Sequence, residues 1–161
     1  MKNFQSISGI IIAISDVLTV PEKMGCYKLI PVQKMDGEIV NFAVSPETYF
    51  INHVMVRIGD MVTGFYDANV PQPLIYPPQY QTVVMARVEP YQNVKVDYFN
   101  EALVSSDGTL KLNIAPTTLI VLENGLAFTG NPACRYLAVI YGPTTRSIPA
   151  QTTPEQIVVL C

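Results

Sequence analysis

The sequence is short of charge. Only 14% of its 161 residues are Asp, Glu, Lys or Arg, against about 25% in a typical soluble protein. With 49% hydrophobic residues and a positive mean hydropathy, the chain has too few charges to coat a fully solvated surface, which points to area buried between chains. Its 10 basic and 13 acidic side chains are spread evenly, six and eight over residues 1–90 and four and five over residues 91–161. Proteins that hold phosphate backbones gather Lys and Arg into a basic stripe, so the absence of one speaks against nucleic acid as a partner.

Histidine and cysteine are equally sparse, and there is no Trp. The one histidine, His53, sits in Asn52-His53-Val54 with no motif to supply a nucleophile or a partner carboxylate, and reads as a structural residue. Cys26, Cys134 and Cys161 lie far apart without a Cys-x-x-Cys, so a zinc set is not available. Asp36, Asp60, Asp67 and Asp107 lack the spacing of a calcium loop. Gly-rich phosphate loops, Gly-x-Ser-x-Gly and His-Glu-x-x-His are absent. The sequence therefore indicates no catalytic residue, no metal and no cofactor, and the expectation is a protein that is not an enzyme. In the cytosol all three are simply thiols, of a residue commonly buried as a small apolar side chain, and neither Cys26 after Gly25 nor Cys134 before Arg135 is marked as reactive. Cys161, the last residue, is the candidate for a disulfide to a neighbouring copy.

Long apolar runs are missing too. None approaches the roughly 18 residues a membrane helix needs, so membrane insertion is not expected. Lys2 followed by Gly9-Ile10-Ile11-Ile12-Ala13-Ile14-Ser15 imitates a signal peptide, but the run is short, Asp16 interrupts it, and a buried first strand is the better reading. That leaves the cytoplasm, or a spore or cell surface reached without a classical signal, as the expected location.

What the sequence does have is a series of short Val-, Ile-, Tyr- and Phe-rich runs bounded by Gly, Pro, Asn or Asp, the pattern of β-strands. Strands are predicted at 7–15, 27–33, 38–44, 61–66 and 82–88, then at 102–105, 109–114 and 156–160, with a further one ending at Tyr141. Landmarks recur at a nearly constant offset. Asp36-Gly37 returns as Asp107-Gly108, 71 residues on; Ser45-Pro46-Glu47-Thr48 returns as Ala115-Pro116-Thr117-Thr118 after 70; Gly59-Asp60 returns as Gly130-Asn131 after 71. The strand ending Phe65-Tyr66 is echoed by that ending Ile140-Tyr141, and Pro77-Pro78-Gln79 by Pro149-Ala150-Gln151 after 72. Such order implies a tandem duplication. Residues 1–90 form one β-unit and residues 91–161 a second, joined at 89–93. Five strands in about 80 residues suit a small closed barrel of OB type, so the expected fold is all-β with two tandem OB-like five-stranded barrels. Ig-like sandwiches, which usually need seven strands, are the alternative.

The segment Tyr141-Gly142-Pro143-Thr144-Thr145-Arg146-Ser147-Ile148-Pro149-Ala150-Gln151-Thr152-Thr153-Pro154, followed by Ile157-Val158-Val159-Leu160, resembles the end of OB-like β-modules of unknown function from Gram-positive, spore-forming bacteria. The resemblance implies the fold and a bacterial source. Residues 69–78 depart from it, with Pro71, Pro73, Pro77 and Pro78 in place of the Thr/Arg/Ser run.

The aromatics and the loops carry the functional expectations. OB barrels bind sugars or single strands by stacking aromatics, and Tyr66, Tyr76 and Tyr80 are placed for this in a strand and a Pro-rich loop; the competing reading puts the strand aromatics in the core. The loop from Val70 to Tyr80 is long, apolar and stiffened by four prolines, so Leu74, Ile75 and Tyr76 call for a surface to cover, either the sister unit or another copy. With Arg146 and Ile148 of the second loop, these residues form the expected partner surface. Two functions follow from this. The first is a non-catalytic structural protein that self-assembles into a homo-oligomer, shell or filament through apolar β surfaces and Pro-rich loops. The second is an OB-type binding module for an oligosaccharide, a peptide or a single-stranded nucleic acid.

Overall fold

The short apolar runs become strands. The computed structural model describes residues 1–161 and contains fourteen strands and two single 3-10 turns, Pro21–Lys23 and Ile51–His53, so the protein is all-β. No helix is long and apolar enough to cross a membrane, a statement that bears on helices alone. The chain divides into two compact units, Met1–Val88 and Glu89–Cys161.

The first unit contains β1 (Phe4–Ile11), β2 (Ser15–Asp16), β3 (Lys28–Gln33), β4 (Ile39–Val44), β5 (Tyr49–Phe50), β6 (Met61–Asp67), β7 (Gln79–Gln81) and β8 (Val84–Arg87). β1 pairs antiparallel with both β3 and β6, and β3 runs into β4 through the Asp36-Gly37 turn. Gly37 takes a φ of 87° there, a conformation that favours glycine, while Asp36 Oδ1 accepts the Glu38 N–H at 2.9 Å. β4 is parallel to β7, and β8 is antiparallel to β6 and parallel to β5. Strict alternation in β4 turns Val40, Phe42 and Val44 inward. There they meet Ile11, Ile30, Val32, Val62 and Met85 in one core, each such side chain contributing about 1.5–3 kcal/mol on burial.

The second unit contains β9 (Asn93–Phe99), β10 (Leu110–Leu112), β11 (Leu119–Leu122), β12 (Arg135–Tyr141), β13 (Ala150–Thr152) and β14 (Gln156–Val159). β9 is antiparallel to β12, β12 is antiparallel to β14, and the pairs β11 with β14 and β10 with β13 are parallel. Phe99, Leu110, Leu112, Leu137, Val139, Ile157 and Val159 form its own core.

Several boundaries differ from the sequence reading. The first strand runs Phe4–Ile11 rather than 7–15; its outward face is tied to β6 by the Ser8 and Thr63 hydroxyls, 2.7 Å apart. The run 82–88 is not one ladder, because the Thr82 N–H bonds to Ala43 and the next N–H, Val83, bonds to Phe65, so the chain changes neighbour between them. At 102–105 only isolated bridges form, from Val104 to Lys111 and Ser105 to Phe99, since Leu103 at a φ of 59° breaks the extended run. β9 was not among the predicted strands, although Val94-Lys95-Val96-Asp97-Tyr98 alternates apolar and polar residues. Asp97 is buried at no loss of partners: its Oδ1 accepts the Ser106 hydroxyl at 2.5 Å and the Tyr98 N–H at 2.7 Å.

Candidate functional site

Two proline-containing loops follow long strands, residues 68–78 after β6 and 142–149 after β12. The first is tied down at both ends. Asp67 Oδ1 accepts the N–H groups of Asn3 and Asn69, each at 3.0 Å, and the Ala68 N–H bonds to Asn3 O at 2.8 Å. Further on, Gln72 Nε2 donates to Val70 O at 3.0 Å, and the Asn41 N–H donates to Pro78 O at 2.8 Å. Between these anchors the tip projects. Leu74 is fully exposed, Tyr76 is 84% exposed and Ile75 54%. Leu74, Ile75 and Tyr76, with Pro73, Pro78 and Tyr80, line an open concavity of about 530 Å3. From residue 68 to residue 82 there is no charged side chain.

Tyr80 also meets Tyr66 across the sheet, with ring centroids 4.4 Å apart and planes tilted by 37°. Burial pushes the Tyr66 phenol above its ordinary value, Tyr80 adds to this, and the Lys34 ammonium opposes it. The structure thus brings Leu74, Ile75, Tyr76 and Tyr80 together around one hollow, and Tyr66 joins them through Tyr80. Lys34 was not foreseen here, because it stands in the sequence as a turn residue beside Asp36.

The second loop is built from hydroxyls. Thr145 Oγ1 lies 2.7 Å from Ser147 Oγ, Ser147 donates to Pro149 O at 2.8 Å, Thr145 Oγ1 accepts the Gln151 N–H at 2.9 Å, and Thr152 donates to Pro143 O at 2.9 Å. Its hollow of about 420 Å3 is lined by Asn113, Pro143, Thr144, Thr145, Gln151, Thr152 and Thr153. Arg146 is exposed and Ile148 is 96% exposed, and neither side chain lines that hollow. Nothing in the sequence pattern singled out Asn113, which reaches the loop by donating from Nδ2 to Gln151 Oε1 at 3.1 Å.

The other singled-out residues stand apart. His53 is exposed at a φ of 50° and meets Tyr49 edge-on, centroids 5.3 Å apart. All three cysteines are free and exposed, unlike the buried small residues that free cysteines commonly are; Cys134 occupies a turn at a φ of 59° just before β12. No group of three or more His, Cys, Asp or Glu side chains is placed to hold a metal ion. The densest polar cluster closes the second Asp-Gly turn. Asp107 accepts from Lys95 Nζ at 2.6 Å, Ser105 Oγ at 2.6 Å and Thr109 Oγ1 at 2.8 Å. Burial raises the Asp107 carboxyl, but these donors overcome it and hold the group well below the usual carboxylate range. Ser105 and Thr109 come from its own hairpin and Lys95 from the neighbouring β9, so the cluster locks the turn.

No protein-family model, no curated protein and no solved structure matches the chain.

Proposed function

We propose that this is a non-catalytic structural protein that associates with copies of itself through apolar surfaces and the loop 68–78. The observation that carries the reading is the exposed tip Leu74-Ile75-Tyr76, rigidified by neighbouring prolines and set in a stretch without charge. A cluster of large apolar side chains held out into water marks an interaction site. Sequence composition agrees, since the low charge leaves little to solvate the remaining surface. A disulfide through Cys161 between neighbouring copies belongs to the same reading.

We further read each unit as an OB-like barrel, the two arising from an internal duplication, as in the β-modules of spore-forming bacteria that the segment 141–160 resembles. The order of pairings supports this. In both units the first strand pairs antiparallel with the strand before the proline-containing loop, that strand pairs antiparallel with the last, and two short parallel pairs occur; the antiparallel pairs of β3 with β1 and β4 in the first unit are met in the second only by the isolated bridges Phe99 to Ser105 and Val104 to Lys111. Finer detail repeats as well. Thr48 Oγ1 donates to Thr82 O and Thr118 Oγ1 to Pro154 O, both at 2.8 Å. In one respect the pairing departs from the sequence landmarks. Gly59 stands seven residues before Tyr66, and the residue seven before Tyr141 is Cys134, also at positive φ, rather than Gly130.

Light scattering on a size-exclusion column, with and without reductant and with negative-stain imaging of the fractions, tests self-association. A species heavier than one chain supports it. A single-chain mass at every concentration overturns it.

A second reading, a binding module for an oligosaccharide, peptide or single strand, is favoured by the Tyr66 and Tyr80 pair beside the apolar hollow. Replacing Tyr66 and Tyr76 with Ala would then weaken any ligand found by screening; unchanged binding by both variants counts against it.

A further inference from the structure

We infer that Asn124 is a covalent modification site: its side-chain amide is lost as ammonia through ring closure by the Gly125 nitrogen, and the folded hairpin over residues 119–128 gates the reaction. The inference is independent of the self-association proposed above.

Asn124 is the only asparagine followed by glycine; the others precede Phe, His, Val, Glu, Ile or Pro. Asparagine is among the chemically labile residues, and glycine has no side chain to hinder the approach of its nitrogen. The step balances within the chain and with water. The Gly125 nitrogen gives up its proton and bonds to Asn124 Cγ, the bond from Cγ to Nδ2 breaks, and ammonia leaves carrying the proton. Water then adds to one carbonyl of the cyclic imide and reopens it. Attack at one carbonyl yields aspartate, and attack at the other yields isoaspartate, whose main chain runs through Cβ and Cγ.

The hairpin restrains both reacting groups. The Gly125 N–H donates to Leu122 O at 3.0 Å, and Asn124 Oδ1 accepts the Leu126 N–H at 3.0 Å. Around them the Leu122 N–H bonds to Leu126 O at 2.8 Å, and Val121 bridges to Ala127. Gly125 lies at a φ of 89° while Asn124 is not at positive φ, so Leu122 to Gly125 is a type I turn. Ring closure requires the Gly125 nitrogen to leave Leu122 and to turn toward Cγ about the Asn124 Cα–C bond, so the turn has to open first. Both residues are exposed. The rate therefore follows the population of the open hairpin.

The fold also decides which product is tolerated. Two other hairpins make the same turn with aspartate. The Gly37 N–H donates to Lys34 O and the Gly108 N–H to Ser105 O, both at 2.9 Å, while Asp36 Oδ1 accepts the Glu38 N–H at 2.9 Å and Asp107 Oδ1 the Thr109 N–H at 3.1 Å. Aspartate at position 124 thus fits the turn as it stands. Isoaspartate adds a main-chain atom before the Gly125 nitrogen and puts these bonds out of register.

The test is peptide mapping by mass spectrometry of the wild-type chain aged in mildly alkaline buffer, folded and in guanidinium chloride, together with the urea midpoint of Asn124→Asp. In the unfolded chain the mass gain of deamidation is expected first at residue 124, and in the folded chain at a rate at least about tenfold lower. Asn124→Asp is expected to keep the wild-type midpoint. Deamidation that appears first at another asparagine, or at none, overturns the site. Equal rates in the folded and unfolded chains overturn the gate, and a lowered midpoint in Asn124→Asp overturns the tolerance of the aspartate product.

Discussion

Phe42 lies so close over Gly64 that a Cβ on the glycine would stand 2.6 Å from two atoms of the ring. Phe42 is fully buried at the centre of the first core, where packing is close and volume is not freely added. Gly64→Ala is therefore expected to lower stability by about 1–3 kcal/mol, the usual penalty of overpacking. A lower urea midpoint at unchanged slope is the readout. An unchanged midpoint would mean that the Phe42 ring moves aside without cost.

Thr48 and Thr118 each tie a turn to the stretch of chain just before a closing strand, and they differ in burial. Thr48 is buried, accepts the Ser45 N–H at 3.1 Å and donates to Thr82 O at 2.8 Å. Thr118 makes the same two bonds but is half-exposed. Thr48→Val leaves two backbone groups without their partner in a dry site, at about 1–3 kcal/mol, and Thr118→Val, where water replaces the hydroxyl, is expected to cost less. Equal losses in denaturation experiments would contradict this ordering.

The Asp107 lock gives a pH dependence with a definite sign. Its carboxyl is held below the unfolded value of 3.8, so the folded state binds fewer protons than the unfolded chain. The stabilisation is present above 3.8 and is lost as pH falls toward the folded value. Asp107→Asn should lower the urea midpoint near neutral pH and flatten its fall on acidification. An acid limb of unchanged steepness would show that Lys95, Ser105 and Thr109 do not hold this charge.

Exposure of all three thiols makes oxidation informative. If Cys161 links neighbouring copies, mild oxidant yields a reducible dimer on a denaturing gel, and Cys161→Ser abolishes it while Cys26→Ser does not. Dimer persisting in Cys161→Ser assigns the link elsewhere.

Much of the all-β character was legible because period-two alternation, as in Val40, Phe42 and Val44, is a property of the local sequence. So were the Asp-Gly turns, where Gly37 and Gly108 adopt the positive φ the pattern implied. What escaped depended on partners distant in sequence. In β9 the places of Lys95 and Asp97 are set by Asp107 and Ser106, which lie on the following hairpin. The split between β7 and β8 follows from a change of neighbour, from Ala43 to Phe65, that no single run records. At the candidate site, Leu74, Ile75, Tyr76 and Tyr80 are contiguous enough to be read together, whereas Lys34 beside Tyr66 and Asn113 beside the second loop arrive only through the fold.

Self-association is tested most directly by the mass of the wild-type chain in reductant, measured by light scattering as concentration is raised. A mass climbing from 17.8 kDa toward twice that value or beyond is the expected result. A mass that stays at 17.8 kDa up to the solubility limit would contradict it and shift the exposed tyrosines and the apolar hollow to the service of a ligand.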